Sequence, residues 1–256
     1  MVLTDTHTHL YSEAFDNDRA EMISRALHAE ITRFFIPAID STYTEAMLQL
    51  EKEYPGHIFL MMGLHPTHVK KDNYNEELLH VEEMLAKHKF YAVGEIGIDL
   101  YWDKSTLNIQ QQAFRKQIQL AKQHKLPIVI HCRDAFDEIF EILEKEKGDD
   151  LFGIFHCFTG TLEQAKKAIS YNMKLGIGGV VTFKNGKVDT FLSEIDIKHI
   201  VLETDSPYLA PVPYRGKRNE SSYLLNIVNK LKDIYNLTAN EIASITTQNS
   251  KKVFRV

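Results

Sequence analysis

Two histidines near the amino terminus have the type and spacing of metal ligands. His7 and His9 are separated by one residue and follow a short apolar run, in the stretch VLTDTHTHL. Side chains two positions apart on a β-strand point to the same face, so the two imidazoles could bind one metal ion together. Twelve histidines in 256 residues produce such pairs by chance, and the pair therefore needs further ligands to carry meaning.

Four further residues of ligand type end later apolar runs. Glu95 lies in AVGEIGID, His131 in IVIHCRD, His156 in IFHCF and Asp205 in LETDSPY. With the first pair they make a predicted metal site of six residues: His7, His9, Glu95, His131, His156 and Asp205. Four imidazoles and two carboxylates exceed the needs of one ion, and the oxygens of Glu95 could bridge two. We therefore predict two divalent metal ions as cofactors; imidazole ligands favour zinc or manganese, while magnesium stays open.

These residues can meet only if the chain brings the ends of the apolar runs together. Eight runs rich in β-branched and aromatic residues alternate with segments of helical periodicity, a pattern that is typical of a parallel sheet. The predicted strands end near His9, Ala38, His65, Glu95, His131, His156, Gly179 and Asp205. Eight units at a spacing of roughly 25 to 35 residues favour an α/β fold with a closed (β/α)8 TIM barrel. The working site of such a barrel lies at the carboxyl ends of its strands.

The barrel is predicted as one domain over residues 1–256, since no linker or low-complexity tract divides the chain. Beyond residue 219 two closing helices are expected, and Thr238 with Glu241 fits a capping box. An open doubly wound sheet is the alternative fold. Its nucleotide-binding motifs GxGxxG and GxxxxGK are missing, and so is the GxSxG elbow of serine hydrolases.

Composition limits the classes of function. A net charge of −5 argues against a general nucleic-acid coat, although a local basic patch could still hold an acidic substrate. The two cysteines show no CxxC spacing, which predicts neither a disulfide framework nor a cysteine zinc site. No apolar stretch approaches the ~20 residues of a membrane helix, and the amino terminus lacks a signal-peptide pattern. We expect a cytoplasmic protein with no membrane partner.

Several other polar residues fall near the predicted mouth of the barrel. The residues expected to contact substrate are His65, Glu203, Arg215 and Lys217. A role for His65 as a metal ligand or as a loop anchor is equally open, and Glu203 could instead orient a ligand. His57 and His199 precede predicted strands, which places them on the opposite face as structural residues. Cys132 and Cys157 each follow a predicted ligand, and strand alternation would turn them toward the helices.

The motifs together resemble the TatD family of metal-dependent deoxyribonucleases, which belongs to the metallo-dependent hydrolase barrels. The resemblance covers essentially the whole chain and rests on DTHTHL, GLHP, GEIGID, HCRDA, HCFTG and ETDSPYLAPVPYRGKRNE. It implies that one metal lies among His7, His9, Glu95 and Asp205, and that Glu95, His131 and His156 hold the second. Tyr11, Cys132 and Ser221 depart from the family pattern, but none of these departures removes a ligand.

The expected reaction is hydrolysis of DNA phosphodiester bonds by a water that two metal ions activate. The resemblance implies a single-stranded or frayed DNA substrate, cut from the 3′ end. We expect Asp205 and Glu95 to be the catalytic residues, with Asp205 both a metal ligand and the group that orients or deprotonates the water. Esterase, lactonase or aminoacyl-ester hydrolase activity on the same metal centre is the alternative, followed by a non-enzymatic metal-binding role. A monomer is expected.

Overall fold

Eight parallel strands form the centre of the molecule, which a computed structural model describes over residues 2–256. The strands are β1 Leu3–Asp5, β2 Ile31–Pro37, β3 Ile58–Met62, β4 Ala92–Asp99, β5 Ile128–Arg133, β6 Gly153–Phe155, β7 Met173–Ile177 and β8 Ile200–Leu202. Each strand pairs with the next in parallel, in the order β1 to β8. This nearly closed sheet confirms the predicted (β/α)8 barrel.

Eight α-helices accompany the strands in the described residues. They are α1 Arg19–His28, α2 Thr44–Glu53, α3 Tyr74–Lys87, α4 Leu107–His124, α5 Phe136–Glu146, α6 Leu162–Ser170, α7 Leu224–Tyr235 and α8 Ala239–Phe254. Between β7 and β8 a series of 3-10 turns stands in place of an α-helix. The capping box is confirmed at the start of α8, where Thr238 and Glu241 each bond the backbone N–H of the other. No helix of residues 2–256 is both long and apolar enough to cross a bilayer.

Three strands end earlier than the sequence suggested. β1 ends at Asp5, β3 at Met62 and β8 at Leu202, three or four residues before the predicted positions. The polar residues that follow these three ends lie in the loops above the strands. Glu95 and His131 differ, since they lie within β4 and β5.

A seam of hydrogen bonds joins the first strand to the last. The N–H of Thr6 donates to the carbonyl of Leu202 at 2.9 Å, and the N–H of Asp205 donates to the carbonyl of His7 at 2.9 Å. Thr8 and Ser206 form an isolated parallel bridge. Below them, the buried carboxylate of Asp5 accepts hydrogen bonds from the backbone N–H and hydroxyl of Thr204 and from the hydroxyl of Ser221. Ser221, which departs from the family pattern that the sequence resembles, thus helps to join the first and last strands.

The carboxyl end of α8 closes the amino-terminal end of the barrel. Its residues Thr247 and Asn249 bond the carbonyls of Val2 and Ile200, which lie at the starts of β1 and β8. Phe254 then reaches a cluster that takes one residue from each of six strands: Phe35, Met61, Ala92, Val129, Ile154 and Val201. Only the barrel interior brings such residues into contact, and there Phe254 stacks on Phe35 with ring centroids 3.6 Å apart. Apolar packing therefore fills the end opposite the polar mouth.

Replacing Phe254 by alanine should lower the free energy of unfolding by about 3–5 kcal/mol, because the cavity left beneath the barrel is enclosed by rigid strands. The melting temperature should fall by roughly 6–20 °C for a protein of this size. Calorimetry beside Leu79→Ala, which removes an exposed side chain on α3, gives the comparison. Equal melting temperatures in the two variants would show that the aromatic contact contributes little to stability.

Candidate metal centre

The six predicted ligands meet at the carboxyl end of the barrel. A cavity of about 580 Å³ opens there, and five of them line it: His9, Glu95, His131, His156 and Asp205. The sixth, His7, is fully buried at the floor of this cavity. His65 also lines the wall. The volume lies in the usual range for ligand-binding cavities, so the ligand set stands in a space that a small substrate can enter.

The carboxylate of Glu95 lies at the centre of the cluster. Its Oε2 atom is 3.1 Å from His7 Nε2 and 3.8 Å from His9 Nε2. Its Oε1 atom is 2.8 Å from His131 Nδ1 and 3.4 Å from His156 Nε2. Each carboxylate oxygen thus faces a different group of imidazoles, and His65 Nε2 joins the second group at 3.3 Å from Oε1. A carboxylate placed in this way would suit two divalent ions.

Asp205 belongs to the side of His7 and His9. Its Oδ1 atom is 3.5 Å from His9 Nε2 and 3.8 Å from His7 Nε2. The backbone of Asp205 is left-handed, with φ of 56°, and its N–H bonds to His7 across the barrel seam. The position of this carboxylate is therefore set by its own backbone conformation and by a hydrogen bond between the segments that follow β1 and β8.

Each of three imidazoles has a second polar group near the ring nitrogen that faces away from Glu95 and Asp205. Tyr11 lies 2.9 Å from His9 Nδ1, and its hydroxyl donates to the carbonyl of Pro37, so it is free to accept from the histidine. Asp99 bonds His131 Nε2 at 2.9 Å. Glu203 Oε1 lies 3.0 Å from His156 Nδ1, without the geometry of a hydrogen bond. Hydrogen-bonded outer partners fix the tautomer and orientation of metal-binding histidines, and in all three rings the other nitrogen is aimed at Glu95 or Asp205.

The donor atoms suit a divalent cation. His7 Nε2 is buried and makes no hydrogen bond in the described residues, although two carboxylates lie close to it. When a neutral His131 donates its Nε2 proton to Asp99, its Nδ1 lone pair faces Glu95 Oε1 at 2.8 Å, which is repulsive unless a second ring proton or a metal cation lies between them. Burial would raise the pKa of the Glu95 carboxyl, but the surrounding imidazoles hold that pKa well below its usual range. Glu95 is therefore an anion, which is the state that binds a cation.

His65 differs from the other histidines of the cavity. Its Nδ1 atom accepts the backbone N–H of Thr67 at 3.2 Å, so in the neutral ring the proton is on Nε2. Burial lowers the pKa of His65 to about 4, which keeps the ring neutral. Nε2 lies 3.3 Å from Glu95 Oε1. This geometry favours a hydrogen-bond donor that faces the centre over a metal ligand.

The other predicted substrate contacts lie elsewhere. Glu203 is fully buried, where it faces His156 and accepts the backbone N–H of Cys157 at 2.5 Å, so the expected direct contact with substrate does not fit its position. Arg215 and Lys217 are exposed on the loop after β8 and do not line the cavity. The guanidinium of Arg215 lies 4.4 Å from the centre of the Phe183 ring. Contact of these two cations with a longer substrate stays a prediction.

The expectation for the cysteines was wrong. Cys132 and Cys157 both line the cavity instead of facing only the helices. β6 ends at Phe155, and Cys157 follows with a positive φ of 44°, so strand alternation no longer sets its direction. Burial raises the pKa of both thiols, which keeps them protonated.

Asp99 is a residue that the motif search missed. It lies on β4 four positions after Glu95, and the same two-residue period that paired His7 with His9 places it on the face of Glu95. Extending that period through GEIGID would have found it. Tyr11 had no comparable signal, because the carbonyl that holds its hydroxyl belongs to a different strand.

The chain is similar to known proteins over almost its whole length. A family model described as TatD related DNase matches residues 4–255. The uncharacterized metal-dependent hydrolase YabD of Bacillus subtilis (strain 168) is 42% identical, with 100% of both chains covered. The uncharacterized metal-dependent hydrolase YcfH of Escherichia coli (strain K12) is 30% identical over 100% of this chain and 97% of its own. The crystal structure of YjjV, a TatD homologue from Escherichia coli K12, has a TM-score of 0.93 at 28% identity, covering 99% of this chain and 98% of that one.

Replacing His131 by alanine should weaken binding of the metal by more than about a hundredfold, since loss of an outer partner alone costs about 10- to 100-fold. Titration of metal-stripped protein with zinc or manganese against a competing chelator measures this affinity. Asp99→Asn should fall between the wild type and His131→Ala. His57→Ala serves as the control, because His57 bonds the carbonyl of Thr32 away from the cavity. Unchanged affinity in His131→Ala would remove His131 from the ligand set.

Proposed function

The chain belongs to the TatD related DNase family, and we propose that this metal-dependent hydrolase cleaves phosphodiester bonds of single-stranded or frayed DNA, from the 3′ end. The observation that carries the proposal is the carboxylate of Glu95, whose two oxygens face two groups of imidazoles inside one open cavity. This arrangement fits two divalent ions about a single reacting phosphate.

The metal ions supply the electrophilic part of the chemistry: when bound, they lower the pKa of a water molecule toward about 7 and neutralise charge on the phosphate. The protein supplies orientation and proton transfer. Asp205 Oδ1 is at the edge of the His7 and His9 group, where it can orient the attacking water and accept its proton. A positioned base of this kind contributes about 10² to 10⁴ in rate.

His65 supplies a hydrogen bond in this proposal. Its Nε2 proton faces the cavity from the side of His131, and its Nδ1 atom is held by Thr67. A donor that is fixed before substrate binds stabilises charge that develops on a phosphate oxygen without further reorganisation. The neutral state of the ring at ordinary pH matches this role, because a donor has to keep its proton through turnover.

The shape and charge of the protein favour a short contact with DNA. Glu95 is only 2% exposed, so a phosphodiester must enter the cavity to reach it, which a strand end does more easily than the interior of a duplex. The net charge of −5 gives little general attraction to the DNA backbone. Recognition is therefore limited to a few nucleotides near the mouth.

Asp205→Asn should lower turnover of an end-labelled single-stranded oligonucleotide by about 10² to 10⁴ while the fold stays intact. Metal-stripped protein is resupplied in turn with magnesium, manganese and zinc, and the 3′ ends are followed by gel electrophoresis. His57→Ala should retain wild-type turnover. If wild-type protein with bound metal leaves DNA intact, the nuclease proposal fails, and carboxyl esters, lactones and aminoacyl esters become the substrates to test.

His65→Ala should lower turnover by about 10² to 10³, the cost of removing a donor to a developing charge. The bound metal per chain should stay at the wild-type value, because the ring nitrogen that faces the centre carries a proton. Metal analysis of the purified variant distinguishes the two roles. Loss of metal together with turnover would make His65 a ligand and overturn its assignment as a donor.

A further inference from the structure

An aromatic and cationic cluster stands at the rim of the cavity, where β4 and β5 end. Trp102 is 70% exposed and Tyr101 55% exposed, and their rings meet edge to face with centroids 5.0 Å apart. The guanidinium of Arg133 lies 3.7 Å from the Tyr101 ring centre and 5.5 Å from the Trp102 ring centre. Two large aromatic rings exposed at one place leave apolar surface that a planar ligand could cover. We call these three residues the rim cluster.

The rim cluster stands between two cavities. Trp102 and Arg133 line the cavity that holds the candidate metal ligands. Tyr101 and Arg133 line a second cavity of about 670 Å³. The two cavities share a wall, to which Arg133 and Thr159 contribute. A chain-like substrate with one unit at the metal centre would therefore pass the rim cluster before it reached the second cavity.

The charges along this path suit phosphate groups. Arg133 lines both cavities and Lys187 lines the second, and neither forms an ion pair within residues 2–256. Asp134 is the one carboxylate that lines the second cavity among the described residues. A guanidinium stacked on an aromatic ring keeps its N–H donors at the edge, where they can bond two phosphate oxygens. In the second cavity two cations, Arg133 and Lys187, stand against one carboxylate, although the whole chain is acidic.

The rim cluster is fixed to the metal centre by one side chain. Asp99 Oδ1 accepts the backbone N–H groups of Tyr101 and Trp102 at 3.0 and 3.2 Å. Asp99 Oδ2 bonds His131 Nε2 at 2.9 Å. The same carboxylate therefore sets the position of both a candidate ligand and the aromatic rim, so the distance from rim to centre is defined before substrate binds.

We propose that the rim cluster is a subsite for the nucleotide adjacent to the scissile phosphate. Trp102 and Tyr101 offer ring faces on which its base stacks, and Arg133 binds its phosphate. The next phosphate then lies in the second cavity, near Lys187. The subsite rests on the proposed function, since it assumes a single-stranded nucleic acid at the metal centre. Stacking on aromatic rings is tolerant of sequence, so the subsite selects for a flexible strand rather than for particular bases.

The chain carries a built-in probe for this subsite, because Trp102 is its single tryptophan. Metal-loaded protein is titrated with (dT)4 whose linkages are phosphorothioate, so that the strand resists cleavage during the measurement. Stacking of a base on the indole should change the tryptophan fluorescence in a saturable way. A tetranucleotide with the same linkages but no bases should bind without that change.

Two variants distinguish the contribution of the base to binding from that of the phosphate. Trp102→Ala should weaken binding of (dT)4 by about fivefold to a hundredfold and binding of the abasic strand by less than about twofold. Arg133→Ala should weaken both strands by a similar factor, since both carry the phosphate. Binding is followed by competition with a fluorescently labelled strand, which does not depend on Trp102. The controls are Leu79→Ala for exposed apolar surface and Lys252→Ala for an exposed cation on α8, and both should bind as the wild type does.

Three results would overturn the subsite. The first is binding and turnover at the wild-type level in both Trp102→Ala and Arg133→Ala; if the wild-type protein cleaves DNA, the proposed function would still stand. The second is equal weakening of normal and abasic strands by Trp102→Ala, which would exclude base stacking. The third is tighter binding of a poly-glutamate peptide than of (dT)4, which would show that the cluster attracts acidic chains of another class. Failure of the proposed function has a different signature: metal-loaded wild-type protein neither cleaves nor binds any strand.

Discussion

The closure of the barrel between β8 and β1 is the constraint on which the rest of the structure depends. His9 and Asp205 are far apart in sequence, and their side chains face each other at 3.5 Å because backbone bonds of Asp205 and Ser206 to the His7 and His9 segment close the ring. The buried carboxylate of Asp5 bonds both sides of this seam. A candidate metal site divided between the first and last strands exists only in the closed barrel, so a metal ion that bound there would also stabilise the fold.

Inside the closed barrel, polar and apolar groups are separated along the axis. Burying Glu95 with several imidazoles is costly, and its hydrogen bond with His131 and its contact with His7 offset part of that cost. Stability comes from the other end, where Phe254 and Phe35 stack within a cluster drawn from six strands. Because the apolar end stabilises the fold, the mouth can contain buried imidazoles and carboxylates whose burial is unfavourable, as functional sites commonly do.

Local charge matters more than net charge at the mouth. The protein is acidic as a whole, yet Arg133 stands at the rim with its guanidinium on a ring instead of on a carboxylate. Arg218, by contrast, is paired with Asp18 and fixes the loop after β8 to the start of α1. The two cations thus differ, because Arg218 is paired with a carboxylate whereas Arg133 keeps its guanidinium free for a ligand.

The sequence by itself determined the eight repeating units, the capping box of α8 and the candidate ligands that meet at the mouth of the barrel, because hydrophobic periodicity and residue type are local properties. Only the tertiary structure decided where each side chain stands along the barrel axis. Strand alternation cannot place Cys157, which follows the end of β6 in a left-handed conformation. Nor can it show that Glu203 is buried behind His156, or that Tyr11 holds His9 through the carbonyl of another strand. These contacts depend on strand ends and on pairs distant in sequence, whose positions are fixed only when the ring closes.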